Sequence, residues 1–96
     1  MYGMFAFAPL FNSDLNAWNT SAVVDMSAMF DGASSFDSAL SDWDVSSVTA
    51  MGSMFRDAAS FSQDISAWNV SSVTMSFYMF AGATSFDSVL DAWDVR

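Results

Sequence analysis

Every 25 residues the chain returns to the same words, without an insertion, and this constrains its fold more than any other feature. Met4-Phe5, Met29-Phe30, Met54-Phe55 and Met79-Phe80 set the register. The other apolar columns follow it: Ala8, Ala33, Ala58 and Ala83; Phe11, Phe36, Phe61 and Phe86; Leu15, Leu40, Ile65 and Leu90; Trp18, Trp43, Trp68 and Trp93. A strict period of this length marks units that bury their apolar side only against their neighbours in a stack. The expectation is one domain over residues 1–96, with units of about 1–20, 21–45, 46–70 and 71–96.

Within a unit two shorter periods alternate. Val48, Met51, Met54, Phe55 and Ala58 fall on one face of a short helix, with Ser46, Ser47 or Thr49 as its cap. Trp43-Asp44-Val45 alternates apolar and polar, the pattern of a short strand with one buried face. Leu40, Trp43, Val45 and Val48 also reproduce the spacing of a leucine-rich repeat. The fold class read from these periods is α/β: a leucine-rich-repeat-like solenoid of about four 25-residue units, each with a short parallel strand and a short helix.

Residues 61–74, FSQDISAWNVSSVT, followed by Met79-Phe80, closely resemble the bacterial surface-protein repeat of about 26 residues, the BspA-like or Mycoplasma-lipoprotein type. The resemblance covers residues 1–95. It implies a leucine-rich-repeat-like solenoid, an extracellular or cell-surface location, and a role in adhesion or protein binding. The first residues, MYGMFAFAPLF, lack the basic start and small-residue cleavage site of a secretory signal, and the chain has no cysteine to carry a lipid. No signal peptide or anchor is therefore expected in this chain.

Acidity narrows the partners. Eleven acidic residues, all Asp, face only Arg56 and Arg96, for a net charge of −9. Such a field repels phosphate backbones, so nucleic acid is excluded as a partner. Residues 65–86 carry no charge, but they include Asn69 and several hydroxyl residues, and the equivalent stretch one repeat earlier holds Asp42, Asp44, Arg56 and Asp57. No membrane span is expected.

The acids are also placed by column. No Asp has an Asp at the same position of the next unit, and the strand column reads Asn19, Asp44, Asn69, Asp94. In-register stacking brings like positions about 4.8 Å apart. An Asn amide donating to a neighbouring Asp would there replace repulsion by hydrogen bonds. Asp31 and Arg56 share a column as opposite charges. The ladder also accounts for Asn19-Thr20-Ser21 and Asn69-Val70-Ser71, which otherwise match a glycosylation acceptor.

Catalytic chemistry is poorly provided for. With no His, Cys, Lys or Glu, the usual nucleophile and base pairs and transition-metal clusters cannot be assembled. No enzyme activity, cofactor or metal site is expected. The Trp column reads as core, each indole N–H meeting a Ser or Thr oxygen.

Two surfaces remain. A flat polar face built from Asn19, Asp42, Asp44, Ser46, Asn69, Ser71 and Asp94 suits an extended partner. The last unit breaks its columns, placing Met75, Phe77 and Tyr78 where the unit before has Ala50, Gly52 and Ser53. This is a candidate partner patch, with Tyr78 pointing furthest out. The leading reading is a non-enzymatic repeat module that binds protein or glycan, with a role in cell-surface adhesion. The first unit starts inside its apolar segment and the last stops at Trp93-Asp94-Val95-Arg96, so neither end reads as capped: the chain is either a fragment of a longer array or, as the second functional reading, a structural element that forms a homo-oligomer through its uncapped ends.

Overall fold

The computed structural model describes residues 2–86. Its 25-residue layers lie on one another in register, and the direct sign is a set of backbone bonds that reach 24 residues ahead. The N–H groups of Met26, Ala28, Phe30 and Gly32 donate to the carbonyls of Ala50, Gly52, Met54 and Arg56. Those of Met51, Ser53, Phe55 and Asp57 donate in turn to Met75, Phe77, Met79 and Ala81, and those of Gly3, Phe5 and Phe7 to Ser27, Met29 and Asp31. Distances run from 2.7 to 3.0 Å. All of these bonds point the same way, from each layer to the next.

This ladder overturns the α/β, leucine-rich-repeat-like solenoid of strand-plus-helix units. Among the described residues there is no helix, and strand-type pairing is confined to the single parallel bridges of Asp25 with Ala50 and of Ala50 with Met75. The segment read as a helix is a chain of tight turns. Met54 N–H bonds to Met51 C=O, Arg56 to Ser53 and Ala58 to Phe55, each three residues back. Alternate N–H groups thus close turns inside the layer while the others bond across it. A helix would direct its N–H groups to carbonyls four residues behind and leave none for the next layer.

The bends that prevent helix formation are left-handed. Gly3, Ala28, Ser53 and Tyr78 occupy one column and Phe7, Gly32, Asp57 and Gly82 another, and all eight have φ between 56° and 75°. Such a backbone costs an L-residue about 1–2 kcal/mol, which is why glycine recurs there. In the second column glycine answers a further demand. A Cβ on Gly32 would lie 2.9 Å from the Phe7 ring, and one on Gly82 would strike the Asp57 carboxylate. A bulky side chain in one layer rests on the glycine of the next.

The segment read as a strand is also a turn. Trp43 N–H bonds to Leu40 C=O and Val48 N–H to Val45 C=O, which buries Trp43 and Val45 and leaves Asp44 outside. The apolar alternation is real, but it arises from a bend.

Inside the stack the columns meet ring to ring. Phe5, Phe30, Phe55 and Phe80 form one row with centroids 5.6–5.7 Å apart. Phe11, Phe36, Phe61 and Phe86 form a second at 5.8–5.9 Å. Within each layer the two rows touch at 4.1–4.2 Å, nearly parallel. Such offset pairs add about 0.5–1.5 kcal/mol each to the burial of their area. Met26, Met29, Met51 and Met54 fill the remaining core and are wholly buried.

Trp43 stacks on Trp68 with centroids 6.5 Å apart. Their indole N–H groups donate to backbone carbonyls of the preceding layer, Leu15 for Trp43 and Leu40 for Trp68, at 2.8 and 3.0 Å. The Ser or Thr oxygen expected as acceptor is not used, because the turn aims a carbonyl at the ring. Thr20 takes the place held later by Val45 and Val70, and it is tolerated there because its hydroxyl donates to Asp44 C=O in the next layer.

Candidate functional site

The polar candidates lie on the surface, but they hold their own turns rather than one another. Asn19 Oδ1 accepts from Ser21 N–H at 3.1 Å and from its hydroxyl at 2.7 Å. Asp44 Oδ1 accepts from both groups of Ser46, and Asn69 Oδ1 from Ser71 N–H. These are Asx turns, in which a side-chain oxygen captures the N–H two residues on. The expected ladder of Asn amides donating to Asp carboxylates is absent from the described part of this column. Asp94 lies outside the described residues. The Asn-x-Ser words at 19 and 69 are therefore turn signals, and Asp64 with Ser66 and Asp25 with Ser27 repeat the device.

Asp44 and Asp64 are held below the usual carboxylate range, first by the hydroxyl of the serine two residues on and then by its N–H, with burial opposing weakly. Both carboxylates stay ionised at neutral pH and reinforce the acidity of this face.

Cross-layer polar bonds do occur, one column away. Asn16 Nδ2 donates to Asp42 Oδ2 at 3.0 Å, and Asp42 N–H returns a bond to Asn16 Oδ1 at 2.9 Å. Asn12 Oδ1 accepts from Asp37 N–H, and Asp37 Oδ1 accepts from Ser62 N–H and from Gln63 Nε2. Among the described members of the polar candidate face, Asp42 alone has a side chain that ties two layers together. The described ion pair is between Arg56 and Asp57, chain neighbours 3.9 Å apart, rather than between Arg56 and Asp31. At that exposure it contributes little to stability.

Met75, Phe77 and Tyr78 share an open patch, with Phe77 71% and Tyr78 73% exposed. The patch continues into a shallow depression lined by Arg56, Asp57, Tyr78, Ala81 and Gly82. A broken column reveals the aromatic residues in the sequence. Arg56 and Asp57 escape notice there, since they join Tyr78 only through the fold of the next layer onto theirs. The depression therefore pairs an aromatic ring with the only cationic side chain of residues 1–95 and a carboxylate. That set can stack on an apolar or sugar ring and hydrogen-bond its edge. Among the described residues no cluster of three or more acidic side chains is placed to hold a metal ion, and no helix is long and apolar enough to cross a membrane.

The model of one protein family, described as Mycoplasma protein of unknown function, DUF285, matches residues 1–96. No curated protein and no solved structure matches the chain.

Proposed function

We propose that this chain, which belongs to the Mycoplasma family of unknown function DUF285, is a non-enzymatic binding module for a protein or glycan partner, carried at the cell surface and used in adhesion. One observation carries the reading: the patch of Met75, Phe77 and Tyr78 opens onto the depression beside Arg56 and Asp57. The layer before has Ala50, Gly52 and Ser53 at these positions, so the large side chains are not needed to make a layer. Exposed aromatic and Arg side chains that serve no internal packing are what partner contacts are built from. The likeness to the BspA-like surface repeats supports the location, and the acidic turn face favours neutral or cationic partners over anionic ones.

The test exchanges one layer's surface for the other's. Met75→Ala, Phe77→Gly and Tyr78→Ser together restore the residues of the preceding layer, and Ser53 already holds the left-handed backbone that Tyr78 requires. Binding to arrays of defined glycans and peptides should fall at least about ten-fold in this variant while its thermal midpoint holds. Equal binding by both chains would remove the patch from the account.

A further inference from the structure

Arg56 and Asp57 depart from their columns as clearly as the aromatic residues beside them. The layer before has Asp31 and Gly32 at these positions, and the layer after has Ala81 and Gly82. Both side chains are more than half exposed although they belong to an inner layer. Asp57 holds a left-handed φ of 56° at a bend that glycine makes in the layers on either side, and Tyr78 holds one of 57° where the first layer has Gly3. Glycine would make both bends with less strain. The acids of the turn face use their carboxylates to capture an N–H two residues on. Among the described residues the Asp57 carboxylate accepts no hydrogen bond, and its pair with Arg56 is long at 3.9 Å. It is seated all the same, because it lies against bare Gly82, where a Cβ would strike it.

We propose that the depression of Arg56, Asp57, Tyr78, Ala81 and Gly82 is a subsite for one neutral pyranose ring of a glycan, an inference that rests on the binding reading above and names its ligand. A pyranose offers a C–H face that covers an aromatic ring and an edge of adjacent hydroxyls, each able to donate and to accept. Tyr78 supplies the ring. Asp57 accepts from two neighbouring hydroxyls, and the Arg56 guanidinium donates to oxygens beside them. Ala81 and Gly82 are small and leave the floor open, and the space of about 540 Å³ is of the size that holds small ligands. Charge selects among occupants. A basic peptide side chain drawn to Asp57 meets Arg56 3.9 Å away, and an acidic one drawn to Arg56 meets Asp57. A hydroxyl edge uses both signs at once. The net charge of −9 also disfavours uronic and sialic acids against neutral hexoses.

The test is an NMR titration of the full chain with cellotriose, galactotriose and mannotriose, and with trigalacturonate as the anionic control. At least one neutral trisaccharide should give saturable amide shifts at Arg56, Asp57, Tyr78 and Gly82, and trigalacturonate should bind at least about ten-fold more weakly. Arg56→Ala with Asp57→Gly takes the residues of the next layer and keeps Met75, Phe77 and Tyr78. Its thermal midpoint should hold or rise, because glycine relieves the left-handed bend, while neutral-sugar binding falls at least about ten-fold. Silence of all three neutral sugars, tighter binding of trigalacturonate, or undiminished sugar binding by the double variant each overturns the subsite. Peptide binding that still depends on Met75, Phe77 and Tyr78 would in those cases leave the broader reading standing, so the two failures are told apart.

Discussion

The inner and outer layers carry the same columns and treat them differently. Met29 and Met54 are wholly buried, whereas Met4 is 51% exposed; Trp43 and Trp68 are 3% and 5% exposed, whereas Trp18 is 40% exposed. Phe30, Phe55, Phe36 and Phe61 are sealed, while Phe5, Phe11, Phe80 and Phe86 are only partly covered. A layer of this protein does not bury its own apolar face; its neighbours do. Stability therefore resides in the interfaces between layers, and position in the stack outweighs residue type.

The largest effect tests that contrast within one column. Trp68→Ala removes a stacked, hydrogen-bonded indole from the core and should cost about 3–5 kcal/mol in denaturant unfolding. Trp18→Ala, made at the half-open end, should cost less than about half as much. Equal losses would break the distinction between inner and outer layers.

Glycine substitution sharpens it at the backbone. Gly32→Ala places a Cβ against Phe7 at a φ of 75°, and should destabilise by about 1–2 kcal/mol. Gly52 has an ordinary φ, and its added Cβ would make only ordinary contacts with the Phe77 backbone, O at 3.6 Å and N at 4.0 Å. Gly52→Ala should therefore be neutral or stabilising by up to about 1 kcal/mol. Thermal melts of the pair give the comparison, and a like response would deny that the left-handed column shapes the layer.

The smallest effect lies on the turn face. Ser46→Ala removes the main cause of the lowered Asp44 pKa, so Asp44 should titrate closer to its ordinary value of 3.8 in a carboxyl-detected NMR titration. The sign follows from linkage. A carboxylate depressed in the folded state lends stability that is present above its unfolded pKa and lost as pH falls through the folded one. Asp44→Asn keeps the Oδ1 acceptor and should remove that share of the acid sensitivity, as Asn19 and Asn69 do in their own layers. An unmoved Asp44 titration in the Ser46→Ala chain would mean the Asx turn does not form in solution.

These contrasts also show what could be read from the sequence. The columns were legible because a 25-residue period with no insertion leaves one way for like residues to meet. The elements were not, because a run of three-residue turns repeats its inward positions at nearly the spacing of a helix, and a tight bend at Trp43-Asp44-Val45 alternates like a strand. The missing signal was Gly3, Gly32 and Gly82 in two fixed columns, which mark left-handed bends that a helix would not hold. For the candidate site, the broken columns exposed Met75, Phe77 and Tyr78. Nothing local linked them to Arg56 and Asp57, whose place beside Tyr78 depends on how one layer seats on the next. The polar row was visible as Asn, Asp and Ser, but its bonding was misread across layers because the i to i+2 turn uses the same residue types.

The central claim is that backbone N–H groups of one layer bond to carbonyls of the next, and through-hydrogen-bond scalar coupling in NMR tests it most directly. The account predicts a coupling from the Phe30 amide nitrogen to the Met54 carbonyl carbon, with like couplings from Phe5 to Met29 and from Phe55 to Met79. A coupling from Phe30 to the carbonyl of Met26, four residues behind, together with helical carbon shifts over residues 26–33, would contradict it.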